Sequence, residues 1–167
     1  YHFSGYWKDV GTISSLWEAN MEVLDPKNSG IDLFDEDWKI YSRNSGMTGH
    51  KIGSDAVIKN SMITDGCRID GEVEHSVLFA GVKVAPGAVV KDAVVMGGTV
   101  IKPGAVVEHC IIGENAVIGE NAKIGVEKEG EDKGVATIGP GVYVGDGATV
   151  GSNAMVRENV KDGEEEW

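Results

Sequence analysis

A chain of 167 residues with 41% apolar side chains can bury a real core, and its 24 glycines, about twice the usual share of roughly 7%, ask for many turns and not for disorder. The formal net charge of −12 leaves no basic stripe to neutralise phosphates, which argues against nucleic acid as a partner. No apolar run approaches about 18 residues and no signal-peptide pattern is seen, so the reading is of a cytoplasmic chain without membrane contact; two cysteines in unlike settings, Cys67 and Cys110, make no disulfide framework. Because it begins at Tyr1 and not at Met, the chain reads as a piece of something longer.

Residues 1–26 open with YHFSGYWKDV, aromatic and β-prone, which predicts a strand running straight into a helix. Thr12 is placed to cap that helix, and Ile13, Leu16, Trp17, Met21 and Leu24 form an apolar stripe at helical spacing before Asp25-Pro26 stops it. One strand and one helix cannot make a core: they are the trailing end of a larger sheet domain, or they pack on the repetitive region C-terminal to them. Residues 27–51 are irregular, with Leu33, Phe34, Trp38, Ile40 and Tyr41 as expected anchors and cap for the next domain.

From Ile52 to residue 160 an aliphatic side chain recurs nearly every six positions, among them Val84, Val90, Val95, Ile101, Val107, Ile112, Ile118 and Ile124, resuming at Ile138, Val144, Val150 and Val156. A small or aliphatic residue follows most of them at the fourth place, such as Cys67, Ala88, Thr99, Ala105, Ala116, Ala122 and Ala148. This is the signature of a parallel β-helix. One five-residue unit returns every 17 residues, so the coil has three faces, and IKNSM, VEHSV, VKDAV and VEHCI stack. The corners carry Pro86-Gly87, Pro103-Gly104, Pro140-Gly141, Asp65-Gly66 and Asp146-Gly147, the chemistry of type II turns. Two irregularities interrupt the count: IDGE (69–72) is two residues short, and the polar insertion GVEKEGEDKG (125–134) is expected to loop out at a corner, its charges being unable to enter the prism. Residues 161–167 read as a solvated acidic tail.

His75 and His109 fall at equivalent places two rungs apart, with Asp92 between them and Asn60 before. Two rungs are about 9.6 Å, too far for both rings to hold one ion at about 2.1 Å, so a stacked corner ladder is the expectation. Cys110 takes the place held elsewhere by Ser61, Ser76 and Ala93, a position that asks for small size.

GYWKDVGTISSLWEANMEVL, then DLFDEDWKIYS, then hexapeptide coils resembles the C-terminal portion of the bacterial ADP-glucose pyrophosphorylases, or glucose-1-phosphate adenylyltransferases, over nearly the whole chain. The repeat by itself is shared with many acyltransferases; YWKDVGT followed by WEAN is far more particular. The resemblance implies an all-β, left-handed parallel β-helix with a short strand–helix stub, the hand coming from the likeness, since ordinary crossover chirality favours the right. It implies a nucleotide-binding α/β catalytic domain before the stub, a homo-oligomer of tetrameric type, and ATP and glucose 1-phosphate as substrates. The chain by itself would then hold no catalytic residue and be inactive. Asp9 would help hold Mg²⁺ bridging the substrate phosphates, and Trp7, with Tyr6, would line the sugar side, so Trp7 and Asp9 are the substrate-binding candidates. Retention of the acid in KDVGT leans toward the catalytic subunit type. Regulatory sugar phosphates and nucleotides would bind through cations drawn from Arg43, Lys51, Lys59, Arg68, Lys83, Lys91 and Lys102. The alternatives are a hexapeptide acyltransferase using a CoA thioester, which needs a catalytic His in an intersubunit groove and leaves YWKDVGT unexplained, or a purely structural solenoid.

Overall fold

A computed structural model describes residues 1–41, 44–128 and 133–167. Two short helices precede a prism of parallel strands: α1 spans Ile13–Glu22 and α2 spans Pro26–Ser29. Among the described residues every strand pairing is parallel, and the strands form the three faces expected of the repeat. The first face stacks Lys51–Ile52, Arg68–Ile69, Lys83–Val84, Val100–Ile101, Val117–Ile118 and Tyr143–Val144. In register, Lys83 lies over Val100 and Val100 over Val117, a step of 17 residues. The step from Arg68 to Lys83 is only 15, which absorbs the short IDGE unit.

Two strands, Val89–Val95 and Val106–Ile112, run unbroken from the second face through the five-residue corner into the third. The corner is made by one left-handed residue: Asn60, His75, Asp92 and His109 all have φ between 40° and 47°. Asn, Asp and His are the non-glycine side chains that enter this region most readily. At the other corners the same work falls to Gly87 and Gly104 or to Asn115 and Asn121.

Inward-pointing Ile69, Leu78, Ile101, Ile112, Ile118, Ile124 and Ile138 are fully buried, with Ala88, Ala105, Ala116, Ala122 and Ala148 filling the narrow corners. Thr99 enters this interior because its hydroxyl donates to the Gly113 carbonyl at 2.9 Å. The outward side of the third face is apolar as well: Val77, Val94, Ile111 and Val135 are buried beneath Ile13, Leu16, Trp17 and Met21 of α1. The helix therefore packs on the prism, each large side chain it buries contributing about 1.5–3 kcal/mol.

Three expectations need correction. Residues 1–10 form no strand. A strand is defined by the ladder it shares, and this segment turns back along α1 through side-chain contacts, with no sheet edge beside it among the described residues. Phe34, Trp38, Ile40 and Tyr41 are not anchors: they are 58–86% exposed, and only Leu33 is half-buried. The first coil is accordingly open, with Ile52, Val57 and Ile58 36–43% exposed. Residues 161–167, finally, are solvated as expected, but the repeat does not end at 160. Val160 bridges to Val144, Gly163 takes a positive φ, and Glu165–Glu166 pairs with Thr149–Gly151, so the repeat continues for two more faces.

The insertion leaves between Lys123–Val126 and Ala136–Ile138, at the corner that carries the histidine ladder. Its central residues 129–132 lie outside the described residues; at its neck Glu127 pairs with Lys133 at 2.6 Å, and Lys128 sits 4.2 Å from the centre of the Trp167 ring. No helix among the described residues is long and apolar enough to cross a membrane.

Candidate functional site

The segment leading into α1 is organised by local polar contacts. Thr12 and Ser15 form a reciprocal capping box: Ser15 N donates to Thr12 Oγ1 at 3.1 Å, and Thr12 N to Ser15 Oγ at 3.0 Å. One turn earlier Asp9 Oδ1 accepts from Gly11 N at 3.0 Å, which fixes one carboxylate oxygen in a tight Asx turn on the surface. Lys8 reaches back to Glu22 at 2.7 Å and Glu18 at 2.9 Å, and the Tyr6 hydroxyl donates to Glu22 at 2.7 Å. These carboxylates, Glu22 before Glu18, hold the Lys8 ammonium above its usual range, while Lys8 first and Tyr6 second keep Glu22 below its own. Tyr6 is raised by burial and then by Glu22.

Between this strap and the two helices lies a cleft of about 380 Å³, lined by Tyr6, Trp7, Lys8, Glu22, Asp25 and Asn28. Trp7 is 76% exposed at its edge. Asp9 faces its own turn next to the cleft and does not line it. Thus Tyr6 and Trp7 both line the cleft, and Asp9 does not.

The cations fall into two sets. Lys51, Arg68 and Lys83 stack in register as a column on the first face, and Arg68, Lys83 and Lys102 line a shallow cleft of about 300 Å³. Arg68 is held by Asp70 at 2.8 Å and Lys102 by Asp146 at 3.1 Å. Lys59 and Lys91 lie on the second face in a ladder of alternating charge, Lys59 over Glu74, Glu74 over Lys91 and Lys91 over Glu108. Arg43 lies outside the described residues.

At the five-residue corner His75 Nδ1 is 2.7 Å from Asp92 Oδ1, and His109 meets the Trp17 ring edge-on, centroids 4.4 Å apart at 62°. Burial, with Lys133 second, pushes His109 below its usual range. Among the described residues no group of three His, Cys, Asp or Glu side chains could share a metal ion. Burial raises the Cys110 thiol, and its fully buried side chain packs in register with Ala93, at the place that Ser76 fills one rung earlier. The ladder is as foreseen, and of the two places open to the helix, a larger sheet domain or the repetitive region, α1 takes the second, at a corner that the sequence reading did not name. The signal was there, because a half-buried Trp needs a partner for its ring N–H, and Trp17 Nε1 donates to the Asp92 carbonyl at 2.7 Å.

Against known proteins, a family model described as the GlmU-like C-terminal hexapeptide matches residues 45–145. A glucose-1-phosphate adenylyltransferase of Clostridium perfringens (strain SM101 / Type A) is 56% identical over 96 residues, covering 58% of this chain and 24% of that protein. Proteins of the same name from Geobacillus stearothermophilus (53% over 91 residues; 54% and 23%) and Clostridium beijerinckii (50% over 94 residues; 56% and 24%) agree. The matched stretch is about a quarter of the length of these relatives. A triangular stack of 17-residue coils and a family match over more than half its length lead to one assignment: the chain belongs to the GlmU-like C-terminal hexapeptide family, with that family's left-handed parallel β-helix.

Proposed function

We propose that the chain is the C-terminal part of a cytoplasmic glucose-1-phosphate adenylyltransferase, which converts ATP and glucose 1-phosphate to ADP-glucose and pyrophosphate for glycogen synthesis. The observation that carries the reading is the 50–56% identity to enzymes of that name. In the reaction a phosphate oxygen of the sugar phosphate attacks the α-phosphorus of ATP and pyrophosphate leaves. Mg²⁺ bound among the phosphates would stabilise the charge that builds up there. Mg²⁺ keeps several waters and commonly takes only one or two protein carboxylates beside substrate phosphates. One surface carboxylate oriented by its own turn fits that limited demand, so Asp9 is the residue of this chain that would hold the ion. Trp7 offers an exposed ring to the sugar at the mouth of the cleft. The β-helix would serve assembly as a homotetramer and the response to anionic effectors, with the Lys51, Arg68 and Lys83 column as the binding strip. The isolated chain would be inactive.

The test is the longer gene product that carries this sequence. It should make ADP-glucose in a Mg²⁺-dependent reaction, and Asp9→Asn should lower the rate about 100-fold or more at fixed Mg²⁺. Lys83→Glu should blunt the response to phosphorylated effectors while leaving the basal rate. A gene product without nucleotidyl transfer to glucose 1-phosphate contradicts the reading, and an Asp9→Asn enzyme with wild-type rate and Mg²⁺ dependence removes Asp9 from it.

A further inference from the structure

The outer side of the third face is a repeating surface. Met62, Val77, Val94 and Ile111 succeed one another in register, one per rung, at a spacing of about 4.8 Å. The pitch of a helix, about 5.4 Å, is close to that spacing. Toward Thr137, which follows Ile111 in register, the apolar row ends; toward Met62 apolar packing alone distinguishes poorly between α1 in its observed seat and α1 displaced by one rung. A displacement of that size would carry with it everything strapped to the helix, including the turn that holds Asp9.

The contacts of one side chain break the degeneracy, through the ring beneath it more than through the carbonyl it reaches. Trp17 Nε1 donates to the main-chain oxygen of Asp92 at 2.7 Å, and the same ring rests on His109 one rung on. The left-handed backbone recurs at Asn60, His75 and His109, so a carbonyl of this kind is offered on every rung; the His109 ring under Trp17 is not, because the equivalent place one rung before holds Asp92. The Asp92 side chain is meanwhile occupied by His75 at 2.7 Å, so the rung before is marked differently from the rung after. On the opposite side of α1, Glu18 and Glu22 hold Lys8, and Glu22 holds Tyr6. A continuous set of contacts thus runs from the β-helix corner through the helix to residues 6–8, next to Asp9.

We propose that Trp17 is a positioning residue that selects the rung on which α1 sits and thereby places the Tyr6–Asp9 segment relative to the β-helix. The consequence for the metal and sugar site rests on the function proposed above; the seating of the helix does not.

The experiment uses Trp17→Phe, which keeps an aromatic ring and loses the donor, in the chain and in the longer enzyme. In the chain, amides of α1 should exchange with solvent about five- to tenfold faster, the effect of losing one hydrogen bond, while those of Val90 and Val107 keep their wild-type protection. Asp92→Asn, which retains the main-chain acceptor and tolerates the left-handed backbone, should leave α1 exchange as in the wild type. In the enzyme, Trp17→Phe should raise the Mg²⁺ concentration for half-maximal rate severalfold and Trp17→Ala more so, with a smaller change in kcat at saturating Mg²⁺. Unchanged α1 exchange overturns the proposal; faster exchange with an unaltered Mg²⁺ requirement, in an enzyme whose Asp9→Asn variant has lost its Mg²⁺ response, overturns the placement of the Tyr6–Asp9 segment by Trp17. If the wild-type longer protein forms no ADP-glucose, the functional reading falls and the exchange comparison alone decides whether Trp17 seats the helix.

Discussion

The coils and the residues before Lys51 are held by different physics. Within the coils each residue sees nearly the same neighbours one turn above and below, so Ile101, Ile118 and Val144 repeat one solution in successive rungs. The front end has no such redundancy. It is tied down by α1 on one apolar face, by Trp17 at one carbonyl and by a strap of exposed ion pairs, while Phe34 to Tyr41 touch little. Regular structure tolerates local damage poorly but is easy to specify; the irregular segment rests on a few long-range contacts.

The sharpest break in this comparison is a core deletion. Ile118→Ala removes a fully buried side chain from the middle of the stack and should cost about 2–5 kcal/mol, read as a lower denaturation midpoint. A smaller effect is expected from acid on the front end. Glu22 is held below its ordinary 4.5 by Lys8 and then Tyr6, so its contribution is whole above that value and is lost as pH falls through the lowered value of the docked state. Residues 5–12 should loosen in that window, and in high salt, while the coils keep their far-UV signal. The smallest effect belongs to Trp38→Ser, which should change stability by no more than about 0.5 kcal/mol because the ring is 79% exposed.

Legibility in the sequence divides along the same line. The five-residue unit, the turn pairs and the face on which VEHSV and VKDAV meet were legible because each rests on spacing alone. The closing rungs carry the same signal: Val160 with Asp162-Gly163 repeats the pattern of Val144 with Asp146-Gly147. The strand expected in residues 1–10 was wrong because aromatic content marks a preference for a pleated surface and does not supply the neighbouring strand. The anchors in 33–41 were wrong because apolar character does not say which side chains find a partner. Of the candidate site, the grouping of Tyr6 with Trp7 was visible in their adjacency. The Lys8–Glu22 strap and the Trp17 seat join residues 14 and 75 positions apart and have no local signature.

Limited digestion with chymotrypsin tests the contrast most directly. The first cuts should fall before residue 42, after the exposed Phe3, Trp7, Phe34, Trp38 and Tyr41, leaving a resistant fragment that begins close to residue 42 and runs through the coils. Early cleavage at Phe79 or Tyr143, or equal resistance of the 34–41 segment, would mean that the two regions are not held in the different ways described.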